Sequence, residues 1–427
     1  MIATSLVLLL ALMALAIPVA ATLGVLGLLL DSLFGFLPLS RAAGEIAWSS
    51  SNEFLLVALP LFIMLGEILL RSGIAEKMYA ALVKWLSWLP GGLMHSNIAS
   101  CALFAASSGS SVATAATVGT VALPQARRYG YDERLFLGTL AAGGTLGILI
   151  PPSINMIIYA VLTNTSVPKL YLAGIVPGIL LALGFMGIVL AACLLRPSWG
   201  GTAMRATLHE CFAGLVHLVP PIGIFLVVVG SIYAGIATPT EAASLGVLAG
   251  LALAAWSRRL SWRMMREVLE GTMRTTGMVM LIIVAAYFLN FVMSGIGLTD
   301  KLTGFIQGLG LSKWQMLLVV IAFYLVLGCF METLSMMITT IPIVAPVMFA
   351  LGFDPVWFGI MIILLIETAL ITPPVGLNLF VVHNLRSSGA FNDVIAGAAP
   401  FVIAMLAMLA LLTLYPSLAL WLPGLFE

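Results

Sequence analysis

The sequence predicts an all-α integral membrane protein of two inverted-topology repeats, with two re-entrant helical hairpins and two broken transmembrane helices. Three observations lead there. The first is composition: of 427 residues, 62% are hydrophobic and 8% charged, with a mean hydropathy of +1.17, whereas a soluble domain carries about 25% charged residues. The second is an internal repeat. Pro151-Pro152 in GILIPPSIN returns 222 positions later as Pro373-Pro374 in ALITPPVGLN. At the same offset Pro124 falls on Pro346, Ser72-Gly73-Ile74 on Ser294-Gly295-Ile296, and Leu23-Gly24-Val25-Leu26 on Leu245-Gly246-Val247-Leu248. Near the end it slips by one, so Gly174 and Pro177 align with Gly397 and Pro400. The third is the distribution of basic residues, which fixes the relative orientation of the repeats.

Apolar windows such as 3–30, 172–195 and 401–422 exceed the roughly 18 residues needed to cross a bilayer. They do not alternate apolar and polar residues, so the spans are helices rather than barrel strands. The first repeat, 1–213, opens with helices at 3–30 and 53–70. The N-terminal run lacks a basic flank, and VAATLGVL (19–26) matches EAASLGVL (241–248), so it is expected to be a retained span rather than a cleaved signal. IAEKMYAALVKWLSWLP (74–90) carries two Lys and two Trp and reads as an amphipathic interfacial helix bracing its neighbours. Stretch 94–125 is interrupted by Ser107-Ser108-Gly109-Ser110-Ser111. A helix at 134–163 is broken by Pro151-Pro152, another spans 170–195, and 196–213 is a polar linker. A connecting helix at 214–234 leads to the second repeat, 235–427. It has helices at 240–256 and 272–293, an interrupted stretch at 313–348, a broken helix at 356–385 and a last span at 393–422.

Each interrupted stretch could be one long helix or a hairpin. The hairpin is preferred because Gly109 and the hydroxyl clusters sit mid-segment, and irregular backbone at membrane depth persists only where protein or a water-filled cavity covers it. Two re-entrant stretches leave five spans between equivalent points, and an odd number inverts the second repeat. With the N-terminus cytoplasmic, fourteen of the 18 basic residues lie inside and four (Arg41, Lys169, Lys301, Lys313) outside, a positive-inside bias. The C-terminus is then periplasmic.

Candidate chemistry concentrates at the interruptions. Ser107, Ser108, Gly109, Ser110, Ser111 and Thr114 offer neutral oxygens, and a helix break frees carbonyls, which suits a hard monovalent cation. Small-residue helix packing would explain the same segment. In GGTLGILIPPSIN (143–155) the consecutive prolines remove backbone donors and push the preceding residues out of helical geometry; a simple kink is the plainer reading. The counterparts are GCFMETLSMMITT (328–340) and ETALITPPVGLN (367–378), where Ser110 aligns with Glu332 and Ser111 with Thr333. Of the acids in apolar surroundings, Glu67 has an i,i+4 partner in Arg71 and Glu241 follows a helix start. Glu332 and Glu367 lack an evident local base and are candidates for orienting the second site or holding a proton, with purely structural pairing as the alternative.

Other classes find no support. Cys101, Cys193, Cys211 and Cys329 have neither metal-ligand nor disulfide-framework spacing, and His209-x-Cys211 stands alone. There is no nucleophile–base motif, P-loop, HExxH or dinucleotide fingerprint, and no basic tail for nucleic acid. No catalytic residue, cofactor or metal other than a coupling cation is expected, so energy would come from an ion gradient or a partner subunit.

Six strings resemble the large membrane subunit of the tripartite ATP-independent periplasmic (TRAP) transporters, the DctM/SiaM-like family of the ion transporter superfamily. They are SGSSVATAATVG (108–119), GGTLGILIPPSINMIIYA (143–160), AGIVPG (173–178), YAGIATPTEAA (233–243), DPVWFGIM (354–361) and ETALITPPVGLNLFVV (367–382). The resemblance implies an elevator-type transporter with scaffold and transport domains in the bacterial inner membrane. It implies sodium-coupled import of a small organic acid, such as sialic acid or a C4-dicarboxylate, delivered by a periplasmic binding protein. A small four-helix membrane subunit would be a separate chain. By analogy one sodium site involves Ser107, Ser108, Gly109, Ser110, Gly144, Gly147, Pro151, Ser153 and Asn155. The other involves Gly328, Glu332, Thr333, Thr372, Pro373, Gly376 and Asn378. Substrate contacts would come from Ser111, Thr114, Ser153, Asn155, Ser335 and Asn378. The binding protein would dock at 31–52, 164–169, 235–239, 294–312 and 349–356. The competing readings are a stand-alone sodium-coupled dicarboxylate/citrate-type carrier and, from another class, a channel or intramembrane enzyme.

Overall fold

Proline and side-chain caps set most helix starts. A computed structural model describes the chain except residues 16, 203–205, 299, 300, 302, 303, 305–307, 309, 329, 330, 387 and 427, together with the side chains of residues 14, 107 and 108. The described regular structure is helical. The expected helix at 3–30 is instead two, α1 (Ile2–Ala14) and α2 (Val19–Phe34), because Pro18 cannot continue a helix and stands extended at φ −53°, ψ 139°. In the following segment a 3₁₀ turn, Leu39–Ala42, leads into α3 (Ala43–Ser51). Asp31 pins this segment by accepting from the amides of Leu39 and Ser40 at 3.1 and 2.9 Å. A 3₁₀ turn, Phe54–Val57, precedes α4 (Ala58–Arg71), and α5 (Ile74–Leu86) is shorter than the expected 74–90.

The first interrupted stretch forms a helical pair, α6 (Gly92–Ser108) and α7 (Ser111–Arg128), packed against each other. The Pro-Pro break separates α8 (Glu133–Leu149) from α9 (Ile154–Thr163), bent by 43°. Then come α10 (Val167–Leu195) and, inside the expected polar linker, a short α11 (Leu208–Gly214). Thr207 and Glu210 cap each other there, and Trp85 Nε1 of α5 donates to the Cys211 carbonyl at 2.8 Å. Helices α12 (Val219–Tyr233) and α13 (Pro239–Trp256) follow; Thr238 and Glu241 form a second capping box at the start of α13.

Helix α14 (Trp262–Gly295) starts ten residues before the expected 272. Its charged opening turns are compatible with helix because Arg263–Glu267 (3.2 Å) and Arg266–Glu270 (2.7 Å) pair at i,i+4. The second interrupted stretch gives α15 (Lys313–Leu327) and α16 (Thr333–Ala350). The second broken helix gives α17 (Pro355–Leu370) and α18 (Leu377–Asn384). The expected last span at 393–422 is divided at Pro416 into α19 (Phe391–Leu414) and α20 (Ser417–Gly424).

Among the described residues six helices are long and apolar enough to cross a membrane, or up to eight if each bent pair counts as one span. Helices α1, α2, α15 and α17 are apolar but shorter. The protein is thus a multi-pass helical membrane protein. Its interior is organised on α8 and α17, which are buried on every side from Leu135 to Leu149 and from Val356 to Leu370. Contact between α8 and α19 is backbone to backbone: a methyl on Gly138 would land on the Gly397 carbonyl, and one on Gly397 on that of Arg134. A second group packs crosswise between the halves, α2 against α14 and α13 against α4. At the 222 offset α13 is the counterpart of α2, and α14 that of α4.

Candidate functional site

Four helix starts converge at one place. Helix α6 ends at Gly109, whose φ of +63° favours glycine and whose amide returns to the Ala105 carbonyl at 3.0 Å. Ser110 is extended and caps α7 by accepting from the Ala113 amide at 3.4 Å. The tip leans on the first break: a Cβ on Gly109 would sit 3.1 Å from the Pro152 carbonyl. At that break Ile150 is extended, the Pro151-Pro152 bond is cis, and Ser153 caps α9 through the Met156 amide at 3.4 Å. At the second break the Pro373-Pro374 bond is also cis, and Gly376, φ +59°, opens α18. Glu332 caps α16, accepting from the Ser335 amide at 3.2 Å.

A cavity of ≈ 290 Å³ lies among these starts. Ser110–Ala113, Ile154–Asn155, Glu332–Leu334 and Leu377 form one side, with Gly109 and Ile148 beside them. The other side is Ile63, Gly66, Glu67 and Leu70 of α4 with Thr275 and Met278 of α14. Both halves therefore contribute to each wall.

Behind the wall the two halves are hydrogen-bonded. Ser111 Oγ donates to Glu367 Oε2 at 2.7 Å, while Glu367 is 1% exposed and its Oε1 has no partner. Asn378 is fully buried; its Nδ2 donates to the Ala141 carbonyl at 3.3 Å and its Oδ1 has no partner. Gly144 and Gly147 let α8 approach: a Cβ on Gly144 would lie 3.0 Å from the Ser111 carbonyl and 3.1 Å from Asn378 Nδ2, and one on Gly147 3.3 Å from the Ser110 carbonyl.

Gly109, Ser110, Ser111, Asn155, Glu332 and Thr333 thus meet at the cavity, with Gly147 against the first tip. Asn378 turns to the first broken helix instead of the second interrupted stretch. Thr333 Oγ1 and Ser335 Oγ donate to Glu332 at 3.0 and 3.4 Å. Thr114 Oγ1 donates to the Ser110 carbonyl at 2.7 Å, and Thr372 Oγ1 to that of Thr368 at 2.7 Å. Gly328 lies against Ala369 of α17, ahead of the second break where Pro373 stands. The side chains of Ser107 and Ser108 lie outside the described residues.

Sequence reasoning did not place Gly66, Glu67, Thr275 and Met278 at the site. Glu67 does pair with Arg71, and Arg71 Nε reaches Glu267 at 3.5 Å, but the same carboxylate also lines the cavity. An ion pair that explains an acid locally hides its second role. The Ser111–Glu367 link joins residues 256 apart, and no local pattern signals it.

Comparison with known proteins agrees with this architecture. Residues 6–418 match the family described as "Tripartite ATP-independent periplasmic transporter, DctM component". The chain is 35% identical to the C4-dicarboxylate TRAP transporter large permease protein DctM of Rhodobacter capsulatus, covering 98% of both chains. It is 31% identical to the sialic acid TRAP transporter large permease protein SiaM of Vibrio cholerae, over 88% of this chain and 87% of that one. The crystal structure of the Alcanivorax borkumensis YdaH transporter superposes with a TM-score of 0.63 at 16% identity, covering 97% of this chain and 98% of the other, which shows a shared fold. The chain belongs to the DctM family, the large permease component of TRAP transporters.

Proposed function

We propose that this permease imports a small organic acid together with sodium across the bacterial inner membrane, after a periplasmic binding protein hands the cargo over. The observation that carries the reading is the cavity bounded by both interrupted stretches and both broken helices on one side and by α4 and α14 on the other. Helix starts place partial positive charge around it, which suits an anion. The orphan oxygens Glu367 Oε1 and Asn378 Oδ1 lie behind its wall, where a cation would find acceptors. A volume near 290 Å³ is at the lower end of small-molecule pockets, about 300–1,000 Å³. The cargoes named for three relatives, a C4-dicarboxylate, sialic acid and isethionate, are small organic acids, two of them carboxylates and the third a sulfonate.

Movement is an elevator: the hairpins and broken helices travel as one body past a scaffold that includes α2, α4, α13 and α14. The backbone contact between α8 and α19 supports a rigid moving body. The partners are the small four-helix membrane subunit, as a separate chain, and the binding protein, which the word tripartite in the family's description supports. It docks on the face carrying 31–52, 164–169, 235–239, 294–312 and 349–356. The repeats are inverted, the N-terminus is cytoplasmic and the C-terminus periplasmic.

Proteoliposomes holding the large and small subunits test this. An inward sodium gradient should drive uptake of succinate or sialic acid only when the matching binding protein is outside. Uptake without binding protein or small subunit would establish the stand-alone carrier instead. Replacing Ser110 or Asn378 by Ala should weaken sodium dependence; unchanged sodium activation in both would refute the ion sites.

A further inference from the structure

A second cleft, of ≈ 220 Å³, shares no lining residue with the cavity at the helix breaks. Ile74 and Lys77 of α5, His217 just before α12, and Leu253 and Trp256 of α13 line it. Helix α13 is long and apolar enough to cross a membrane, and Leu208–His217 leans 43° away from α12. The cleft occupies that elbow, beside the end of α13. Trp256 is 80% exposed there, and Phe212, Val216 and Val219 are exposed too. A bare Trp with apolar side chains at the end of a span is the kind of surface that the bilayer interface covers.

The charge around this cleft is one-sided. No acid is among the described residues that line it. Arg259 closes one edge, with its Nε 3.6 Å from where a Cβ on Gly73 would stand. Arg71, Arg263 and Arg266 are each paired with a glutamate. Lys77, Arg258 and Arg259, by contrast, have no ion-pair partner among the described residues. Helices α5 and α12 begin here, which adds partial positive charge; α13 ends here, where Arg258 and Arg259 offset its negative end. Lysine is depleted from the centre of protein interfaces, whereas basic pockets between spans take the headgroups of acidic lipids. We propose that this cleft binds the phosphate of an anionic phospholipid of the phosphatidylglycerol class. Lys77, His217 and Arg259 surround the phosphate, and an acyl chain follows the apolar wall of Pro220 and Leu253. The inference depends on neither the cargo nor the sodium of the proposed function.

Native mass spectrometry of the purified full-length complex with its small subunit, stripped of lipid in detergent, tests this. Dioleoylphosphatidylglycerol and dioleoylphosphatidylcholine, which share their acyl chains, are titrated separately. The wild type should bind phosphatidylglycerol saturably and about tenfold or more tightly than phosphatidylcholine. Lys77→Gln combined with Arg259→Gln should weaken the phosphatidylglycerol affinity by about 30-fold, the effect of two basic charges near a lipid surface. Arg263→Gln combined with Arg266→Gln removes the same charge elsewhere and should leave that affinity unchanged. Leu253→Trp fills the cleft while keeping every charge, and should abolish the preference for phosphatidylglycerol. Equal losses in the two double variants would mean a diffuse basic surface and overturn the site. Wild-type affinity in the Lys77 and Arg259 double variant, or in Leu253→Trp should the former not assemble, overturns it as well. Displacement of the lipid by millimolar inorganic phosphate would give the cleft to a free anion instead. A complex without saturable phosphatidylglycerol binding would place the small subunit over the cleft and refute the lipid assignment.

Discussion

Ser111 and Glu367 show how much one hydroxyl can hold at this site. Glu367 is buried with a single described hydrogen bond, from a residue in the other half. Ser111→Ala leaves both its carboxylate oxygens without that donor, and a buried polar group stripped of its partner costs about 1–3 kcal/mol. Ser111→Ala should therefore lower the melting temperature in sodium-free buffer, whereas Thr120→Ala, on an exposed turn of the same helix, should not. Equal melting of the two variants would remove Ser111–Glu367 from the account of stability.

The helix boundaries show which features local chemistry decides. The Pro-Pro breaks and the Gly109 turn are written in adjacent residues, and for that reason they could be read directly; the Ser110 and Ser153 caps are as local, but the sequence reading took those hydroxyls for ligand oxygens. The split at Pro18 was equally local, but an apolar-window argument runs straight across a proline. Helix α14 was cut short for the opposite reason: its charged opening turns fail a hydropathy test, yet a 34-residue helix is about 51 Å long and projects beyond the bilayer core. At the site, Ser110 and Asn155 were legible because they flank a break. Glu67 and Thr275 were not, because only packing of α4 and α14 beside the starts of α7 and α16 brings them there. Helix crossings are the other tertiary product. Gly138→Val and Gly397→Val force a side chain into a backbone carbonyl. Each should cost at least about 1–3 kcal/mol by overpacking and appear as reduced folded yield in detergent chromatography. Gly184→Ala, with nothing within 4 Å of its added carbon, should elute like the wild type.

Across the molecule as a whole, exposed tryptophans offer a test of the proposed topology. Trp48, Trp314 and Trp421 form one set and Trp88, Trp256 and Trp262 another in the proposed topology, and all six are exposed, as interfacial anchors are. The proposed topology puts the first set outside and the second in the cytoplasm. Single cysteines at Trp48 or Trp314 should react with a membrane-impermeant maleimide in intact spheroplasts, and cysteines at Trp256 or Trp262 only after lysis. Labelling of all four from outside would reject the inverted arrangement.

The crosswise packing of α2 on α14 and of α13 on α4 has a consequence for how such a chain could be assembled. Each half completes the other, as subunits do in an obligate dimer, and the described residues of the polar segment that links them form short helical turns. Two genes, one ending and the other beginning within 196–213, should therefore yield polypeptides that find each other in the membrane. Co-purification of the two fragments through a tag on either one, with degradation of each when expressed alone, is the expected result. The single chain would then be a pair of subunits that became one open reading frame.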